Sequence, residues 1–544
     1  MSLPDPDRGV RSAERGAEIA WAGWGDPAQA EPLAPALNDL LTQALGVRGP
    51  GQPAGELSAV RLPEPSLPDG ARERLAGAVG AENVLDDPES RIRRTRGKST
   101  PDLLRLRAGE ADDAPDAVVL PGSGEEVLEV LRTCAAHRVA VVPFGGGTSV
   151  VGGLEPRRGG FAGVIALDLR RMNRLLSLDE ESRTATFEPG LRGPEAETLL
   201  GERGYTIGHF PQSFEYATIG GFAAARSSGQ ASAGYGRFDE RVVAITVATP
   251  EGTLDLGRAP KSAAGPDLRQ LFLGSEGALG VLTSLTVEVR PVPAERVYEG
   301  WRFASFAAGA AALRTLIQDG PVPTVLRLSD EAETALNLAR PSELGAGGAG
   351  GCLAIAGYEG TAEDVAARRE RASAVLQACG GKPEGTEPGE SWVRGRYRAP
   401  YLRDALLDAG ALVETLETTT FWSHLSGLYE GVGDALRDSL GDQGTPPVVL
   451  CHISHVYPSG ASLYFTVGAA QLSDPVGQWR AAKRAASDAI LAAGGSITHH
   501  HGVGVDHRDH FAREIGPLGV EALRAVKARL DPQGIMNPGI LLAE

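Results

Sequence analysis

The stretch VAVVPFGGGTSVVGG, residues 139–153, decides the architecture. VAVVPF (139–144) is a short apolar run with a proline near its end, which is how a buried strand reads. Five glycines follow within 143–153. They free the backbone to approach a ligand closely and to aim successive N–H groups at an anion. The loop lacks the lysine of a Walker A motif and does not match GxGxxG, so neither a P-loop NTPase nor a Rossmann site is indicated. One such loop alone is as often a plain turn.

The surroundings favour a ligand. AVVLP (117–121) reads as a second buried strand. Between the two, Ser123 is a natural N-cap, acidic residues fill the first turn, and Val127, Val130, Leu131 and Cys134 follow helical spacing. Further strands are expected in GVIALDL (163–169), TATFEPG (184–190), VVAITVATPEG (242–252) and GVLTSLTVEVRPVP (280–293). TIGGFAAARSSG (218–229) and FLGSEGALG (272–280) add two more small-residue loops. Three such loops, each beside a strand, suit a long phosphate-bearing cofactor such as a dinucleotide.

At 544 residues the chain has room for two or three domains. Its formal charge of −17 excludes generic affinity for nucleic acid. Cys134, Cys352, Cys379 and Cys451 are scattered without a CxxC pair and read as reduced thiols. No secretory leader and no apolar run of about 18 residues is visible, while peripheral contact with a membrane remains compatible. Residues 1–95 read as an N-terminal extension with helical patches such as LNDLLTQAL (37–45). Residues 96–293 form the ligand-binding domain, and PVP (291–293) marks a boundary. A second α+β domain covers 294–510, with Gly-rich interruptions at 344–351 and 380–389. The segment 511–544, an amphipathic helix, turn and apolar tail, packs back on the first domain.

Half of the ten histidines lie in positions 499–510, in HHHGVGVDHRDH. Imidazole titrates near neutrality, so His499, His500 and His501 suggest proton transfer, anion binding or a metal.

With these loops the chain resembles the vanillyl-alcohol oxidase (PCMH-type) flavoprotein superfamily. That resemblance implies an α+β fold: a two-subdomain PCMH-type FAD-binding domain, an α+β cap domain and, here, a helical N-terminal extension. It implies that Pro143, Gly145, Gly146, Gly147, Thr148 and Ser149 cradle the pyrophosphate of FAD. Thr218, Gly220, Gly221, Ser228 and Gly229 would line the flavin and its ribityl chain, and Glu276 and the Ile245 backbone the adenosine end. The first loop has no histidine, so the FAD would be noncovalent.

Within the superfamily the chain is similar to the alkyldihydroxyacetonephosphate synthase family. The markers are WAGWGDP (21–27), FPQSFEYATIGG (210–221), VLRLSD (325–330), PYLRD (400–404), CHISHVYPSGASLYF (451–465) and THHHGVG (498–504). The resemblance implies exchange of the acyl chain of acyl-dihydroxyacetone phosphate for a long-chain alcohol, through an adduct at flavin N5. Tyr464 and His500 would move the substrate C1 proton, with neighbouring histidine and arginine lowering the tyrosine pKa. His499 and His501 would complete the polar pocket, Arg403 would anchor the phosphate, and Arg327 would lie beside the flavin. Taken singly, either arginine would read as a surface ion pair worth under about 1 kcal/mol. A homodimer is implied, and the Ala-, Gly- and Arg-rich composition suggests the cytoplasm or an inner membrane face.

The rival reading is an FAD-linked 2-hydroxyacid dehydrogenase, whose relatives carry GHxGDGNxH and GEHGxG motifs that hold a divalent metal. Against those motifs His455 is kept, but Ser462 replaces the asparagine, Tyr464 the second histidine and His500 the glutamate. That pattern favours metal-free chemistry. A flavin-free scaffold is the third class, and three intact glycine loops speak against it.

Overall fold

The computed structural model describes residues 18–33, 35–43, 45–51, 53–336 and 350–543. The first sheet runs β1 (Val84–Leu85), β2 (Ala117–Val119), β4 (Gly163–Asp168), β3 (Val139–Phe144). β2, β4 and β3 are parallel neighbours and are buried along almost their whole length. Such strands are covered on both faces, which is why they read as unbroken Val, Ile and Ala. The expected helix is Gly124–His137, and its Ser123 cap accepts from the Glu126 N–H at 3.2 Å. Val127, Val130, Leu131 and Cys134 all face this core.

The second sheet is antiparallel in the order β5 (Leu175–Asp179), β6 (Thr184–Phe187), β10 (Val281–Glu288), β8 (Val242–Thr249), β9 (Gly252–Leu256). A two-stranded ribbon joins β7 (Tyr205–Thr206) to β11 (Arg290–Pro291). The glycine loop leaves the carboxyl end of β3 and faces the second loop, at 218–229.

The third sheet has seven antiparallel strands: β12 (Glu295–Phe303), β13 (Val325–Ser329), β14 (Cys352–Gly360), β15 (Lys382–Gly385), β16 (Ala411–Phe421), β17 (Val448–Val456) and β18 (Gly460–Ala470). Their spatial order is β15-β12-β14-β13-β17-β18-β16. Helices Phe306–Asp319, Ala362–Ala378, Leu425–Asp442 and Pro475–Ala492 pack on it around one core.

Two sequence expectations need correction. The supposed Gly-rich interruption at 380–389 is ordered structure: β15, then the start of helix Glu387–Gly395, whose Gly389 packs against the Tyr298–Glu299 backbone. Of the other interruption, residues 344–349 lie outside the described residues. The C-terminal helix is longer than its periodic stretch, running Arg508–Leu530, so position 511 falls inside it. Gly516 (φ 73) and Pro517 kink it there, which broke the pattern in the sequence.

Two segments near the ends of the described chain pack back on these elements, one on the cap and one on the glycine loops. In the N-terminal helix Pro35–Gln43, Leu37 and Leu41, with Leu45 beyond it, pack on Leu406, Ala411 and Val413. At the other end, Met536 bridges to Val141, and Asn537 Nδ2 donates to the carbonyls of Gly153 and Glu276.

Candidate active site

A cavity of about 490 Å³ is bounded by all three glycine loops and by the cap sheet. Pro143, Gly145, Gly146, Gly147, Thr148 and Ser149 line it, as do Thr218, Gly220, Gly221, Ser228 and Glu276. Among the described residues, no hydrogen bond within the chain uses the N–H groups of Gly146, Gly147, Thr148 or Ser149. A Cβ on Gly146 would collide with the Tyr216 carbonyl, and one on Gly145 would lie 2.6 Å from Thr218 Oγ1. The glycines therefore let two backbone loops meet and leave a row of donors for an anion, as a dinucleotide pyrophosphate requires. The residues present fit FAD.

One adenosine-end expectation is corrected. Ile245 is not among the cavity-lining residues: it lies mid-strand in β8, paired to Leu285 on one side and Leu256 on the other. The Glu276 carboxylate does line the cavity, but Oε2 accepts the N–H groups of Val503 and Gly504, each at 2.8 Å. Burial pushes this carboxyl up to about 7 despite those bonds. Gly229 is also not among the lining residues, although Ser228 beside it is.

The far wall is aromatic and cationic. Tyr464 on β18 lies between two parallel rings, His452 at 5.0 Å and His500 at 6.2 Å, each tilted 17° to it. His501 meets it edge-on at 5.6 Å. Its hydroxyl donates to Thr415 Oγ1 at 3.1 Å. The expectation that neighbours lower its pKa is corrected: burial raises it to about 12, with Glu414 and Glu417 adding to the rise and only Thr415 and Arg403 opposing. Tyr464 is a neutral phenol at rest. Burial also lowers the pKa of His500, so its imidazole is neutral near pH 7.

Glu417 organises the histidines. It lies directly across the strand pair from Tyr464 and is 1% exposed. Its oxygens accept the N–H groups of His499 (2.6 Å), His500 (3.2 Å) and His501 (2.9 Å) and the Thr498 hydroxyl (2.5 Å). Burial alone would raise this carboxyl, but the three imidazoles and Thr498 hold it far below the ordinary range. His499 itself sits behind the cavity wall, with Nδ1 at 3.0 Å from His500 Nδ1 and Nε2 at 2.7 Å from the Tyr457 hydroxyl.

Arg403 lines the cavity and is steered there: Nη1 donates to the Lys98 carbonyl at 2.5 Å, and Nε and Nη2 to Asp404. Arg327 is tied to Glu333 at 2.7 Å, and Glu333 in turn to His452 Nδ1 at 2.8 Å. Burial opposes ionisation of Glu333, but His452 first and then Arg327 hold it down to about 2. Arg327 thus acts through Glu333 to fix the ring that stacks on Tyr464.

Ring nitrogens of His455, His499 and His500 lie within 4.8 Å of one another. His455 Nδ1 is already bonded to Ser232 (2.7 Å) and Ser228 (3.2 Å), both nitrogens of His499 are engaged, and no carboxylate belongs to the group. The dehydrogenase motif would supply that carboxylate at position 500.

From the polar wall the cavity continues along Leu37, Leu41, Leu45, Leu402, Leu406, Val413, Val448 and Leu450. The periodicity of 37–45 gave the helix but not this placement. Sequence reasoning also missed Glu417, Glu333, His452, Tyr457 and Arg396, which lines the same cavity. A signal existed for two of them: Glu417 is one of two acids, with Glu414, in an otherwise apolar and threonine-rich strand, and His452 begins HISH.

Comparison with known proteins agrees with this geometry. Residues 115–256 match the family model described as FAD binding domain, and residues 292–541 that described as FAD linked oxidases, C-terminal domain. Alkyldihydroxyacetonephosphate synthase of Trypanosoma brucei brucei is 33% identical, over 96% of this chain and 92% of its own. The Dictyostelium discoideum protein of that name is 32% identical, over 96% and 93%. A solved alkyldihydroxyacetonephosphate synthase structure superposes with a TM-score of 0.81 at 30% identity, covering 96% of this chain and 99% of the other.

Proposed function

The chain belongs to the alkyldihydroxyacetonephosphate synthase family, and from that premise we propose that it forms the ether bond of ether lipids. The substrates are acyl-dihydroxyacetone phosphate and a long-chain alcohol, and the products are alkyl-dihydroxyacetone phosphate and fatty acid. One observation carries the reading: a single cavity joins an anion cradle, an arginine, a proton-handling cluster and an apolar arm.

FAD, held by the glycine loops at 145–149 and 218–221, would supply an electron-poor ring for chemistry with no net redox change. The rest falls to this chain. Arg403 offers its guanidinium to the substrate phosphate, with Lys98 and Asp404 holding its plane. His500, neutral and unhindered by a resident charge, accepts the C1 proton. Tyr464, protonated, donates its proton to the departing carboxylate, and the tyrosinate takes up the hydroxyl proton of the incoming alcohol as the ether bond forms, while His500 gives its proton back to C1. The apolar arm excludes water and takes the alkyl chain, each buried methylene contributing about 0.8 kcal/mol.

The dehydrogenase alternative has less support, since the positions that would complete its metal site hold Tyr464 and His500. Homodimerisation and contact with a membrane face, from which the alcohol would partition, belong to the same proposal.

The test is to mix FAD-loaded protein with palmitoyl-dihydroxyacetone phosphate and hexadecanol without an electron acceptor. Fatty acid release with alcohol-dependent alkyl product is expected. Flavin bleaching by D-lactate or glycolate, with no alkyl product, would replace this reading with the dehydrogenase.

A further inference from the structure

The apolar arm of the cavity is built in rows across three strands. β18 lies between β17 and β16, and directly opposed residues of neighbouring strands share a face. The row at the reacting end is His452–Tyr464–Glu417, the next is Leu450–Thr466–Thr415, and the third is Val448–Gly468–Val413. All of these except Glu417 line the cavity. On each strand the lining stops at the third row. Ala470 and Ala411, the pair that follows, do not line the cavity, and β17 begins at Val448.

Gly468 is the member of the third row without a side chain, and a residue from another part of the chain fills the space above it. A Cβ on Gly468 would meet only Leu45 Cδ1, at 3.7 Å. Gly468 has no positive φ, so the backbone itself does not demand glycine there. Leu45 follows the N-terminal helix Pro35–Gln43 and is 7% exposed. It packs in one cluster with Val413 and Ala411, and Val448 and Ala470 lie against the same cluster. The Gly468 Cα is at most one bond length farther from Leu45 than the added Cβ would be. An alkyl chain passing between them would need about 3.5–4.0 Å on each of its sides, so it does not fit. Beyond this point Gln471 Nε2 donates to the Leu407 and Ala411 carbonyls at 3.3 and 2.9 Å.

We propose that Leu45, seated on Gly468, is the end stop that sets the length of alcohol the arm accepts. The inference rests on the synthase reading above and names the specificity-determining pair of that site. From the Tyr464 row to the Gly468 row the strand rises about 13 Å. A fully extended chain advances about 1.2 Å per bond, so about eleven carbons reach the stop. Further methylenes gain nothing while Leu45 stays in place. With Leu45 shortened, the arm runs on over Ala470 and Ala411, whose side chains are small.

The test measures alkyl product from the FAD-loaded full chain with palmitoyl-dihydroxyacetone phosphate and straight-chain alcohols from octanol to octadecanol. In wild type, kcat/KM should rise about fourfold per added methylene as far as undecanol or dodecanol and then level off. Leu45→Ala should extend the rise by two or more carbons, so that the hexadecanol-to-dodecanol ratio increases about tenfold. Gly468→Val puts a side chain under Leu45 and should stop the rise about two carbons earlier, lowering the dodecanol-to-octanol ratio about tenfold. Combining the two should bring that ratio back towards wild type, since the valine takes space the leucine gave up; a general loss of stability would not reverse in this way. If Leu45→Ala fails to fold, Gly468→Val carries the test, being a β-branched residue placed in a strand. A wild-type rise that continues at the same slope to hexadecanol, or folded variants that keep the wild-type profile, overturns the end stop and leaves the synthase reading standing. Absence of alkyl product from wild type with every alcohol overturns both.

Discussion

Tyr464 and His500 share one wall, and their opposite pKa shifts decide which of them can be the base. Burial raises the phenol to about 12, roughly five units above neutral pH. Only about one tyrosine in 10⁵ is then ionised at pH 7, and ionising it in advance costs about 7 kcal/mol. His500 is lowered below its ordinary 6.5 by the same burial, so it is already a free base there. The profile of kcat/KM against pH, measured as fatty acid release between pH 5 and 9.5, should therefore rise to a plateau with a midpoint below 6.5 and then stay flat. Tyr464→Phe should lower the plateau by about a hundredfold, the ordinary contribution of one proton donor, without shifting the midpoint. The variant should lose only about 1 kcal/mol of stability, because it gives up one hydrogen bond, to Thr415. FAD absorbance near 450 nm should be retained. A wild-type rate that climbs tenfold per pH unit from 7 to 9.5 would refute the assignment, since it would mean that the tyrosinate is the base.

Arg403→Ala should raise KM for the phosphorylated substrate about 30- to 100-fold, the loss of a charged hydrogen-bonded contact of 2–3 kcal/mol, and should spare a substrate lacking phosphate; equal losses with both would remove the phosphate assignment. Leu41→Trp, which enlarges a side chain lining the apolar arm, should shift the preferred alcohol shorter by roughly two carbons, about 0.8 kcal/mol per methylene in kcat/KM; an unchanged chain-length profile would place the alkyl chain elsewhere. The raised pKa of Glu276 means that the folded state holds this proton more tightly than the unfolded state. Its stability contribution is complete below about 4.5 and is lost as pH rises through about 7, a change of about 3 kcal/mol. Relative to wild type, Glu276→Gln should therefore gain in Tm between pH 5 and pH 8, and a constant difference would show that the carboxyl is not buried in the working protein.

Local chemistry was legible in the sequence, and long-range pairing was not. The strands β2 and β3, the helix between them and its Ser123 cap follow from apolar runs, spacing and one hydroxyl within about 30 residues. The glycine loops announced an anion site because glycine needs no partner to signal backbone approach. Glu417 could not be assigned, since its role exists only once β16 pairs with β18 and the loop some 80 positions later folds onto it. Ile245 failed for a similar reason: a strand residue reads the same whether its backbone faces a ligand or two neighbouring strands. The Tyr464 shift was misjudged in sign because neighbours can be guessed from motifs, whereas burial depends on the whole fold.

The histidine loop is held at both ends by carboxylates, and they come from different parts of the molecule. Glu417, from the cap sheet, takes the N–H groups of His499, His500 and His501; Glu276, from the third glycine loop, takes those of Val503 and Gly504. Between them Gly502 (φ 90) leaves no space for a side chain, since a Cβ there would lie 2.8 Å from Glu276 Oε1. The two ends differ in protonation. Glu417 gathers four donors and stays ionised, whereas Glu276 has two, is pushed up to about 7, and lines the cavity beside the cradle. A pyrophosphate in that cradle would raise Glu276 further and keep it protonated. Its hydrogen could then be donated, while its other oxygen still accepted from the loop. The end of the clamp nearest the cofactor is thus the one whose charge the cofactor can set, and the end nearest Tyr464 is fixed. The cradle and His500 are thus joined by six residues of one loop, 499–504, bonded to Glu417 at one end and to Glu276 at the other.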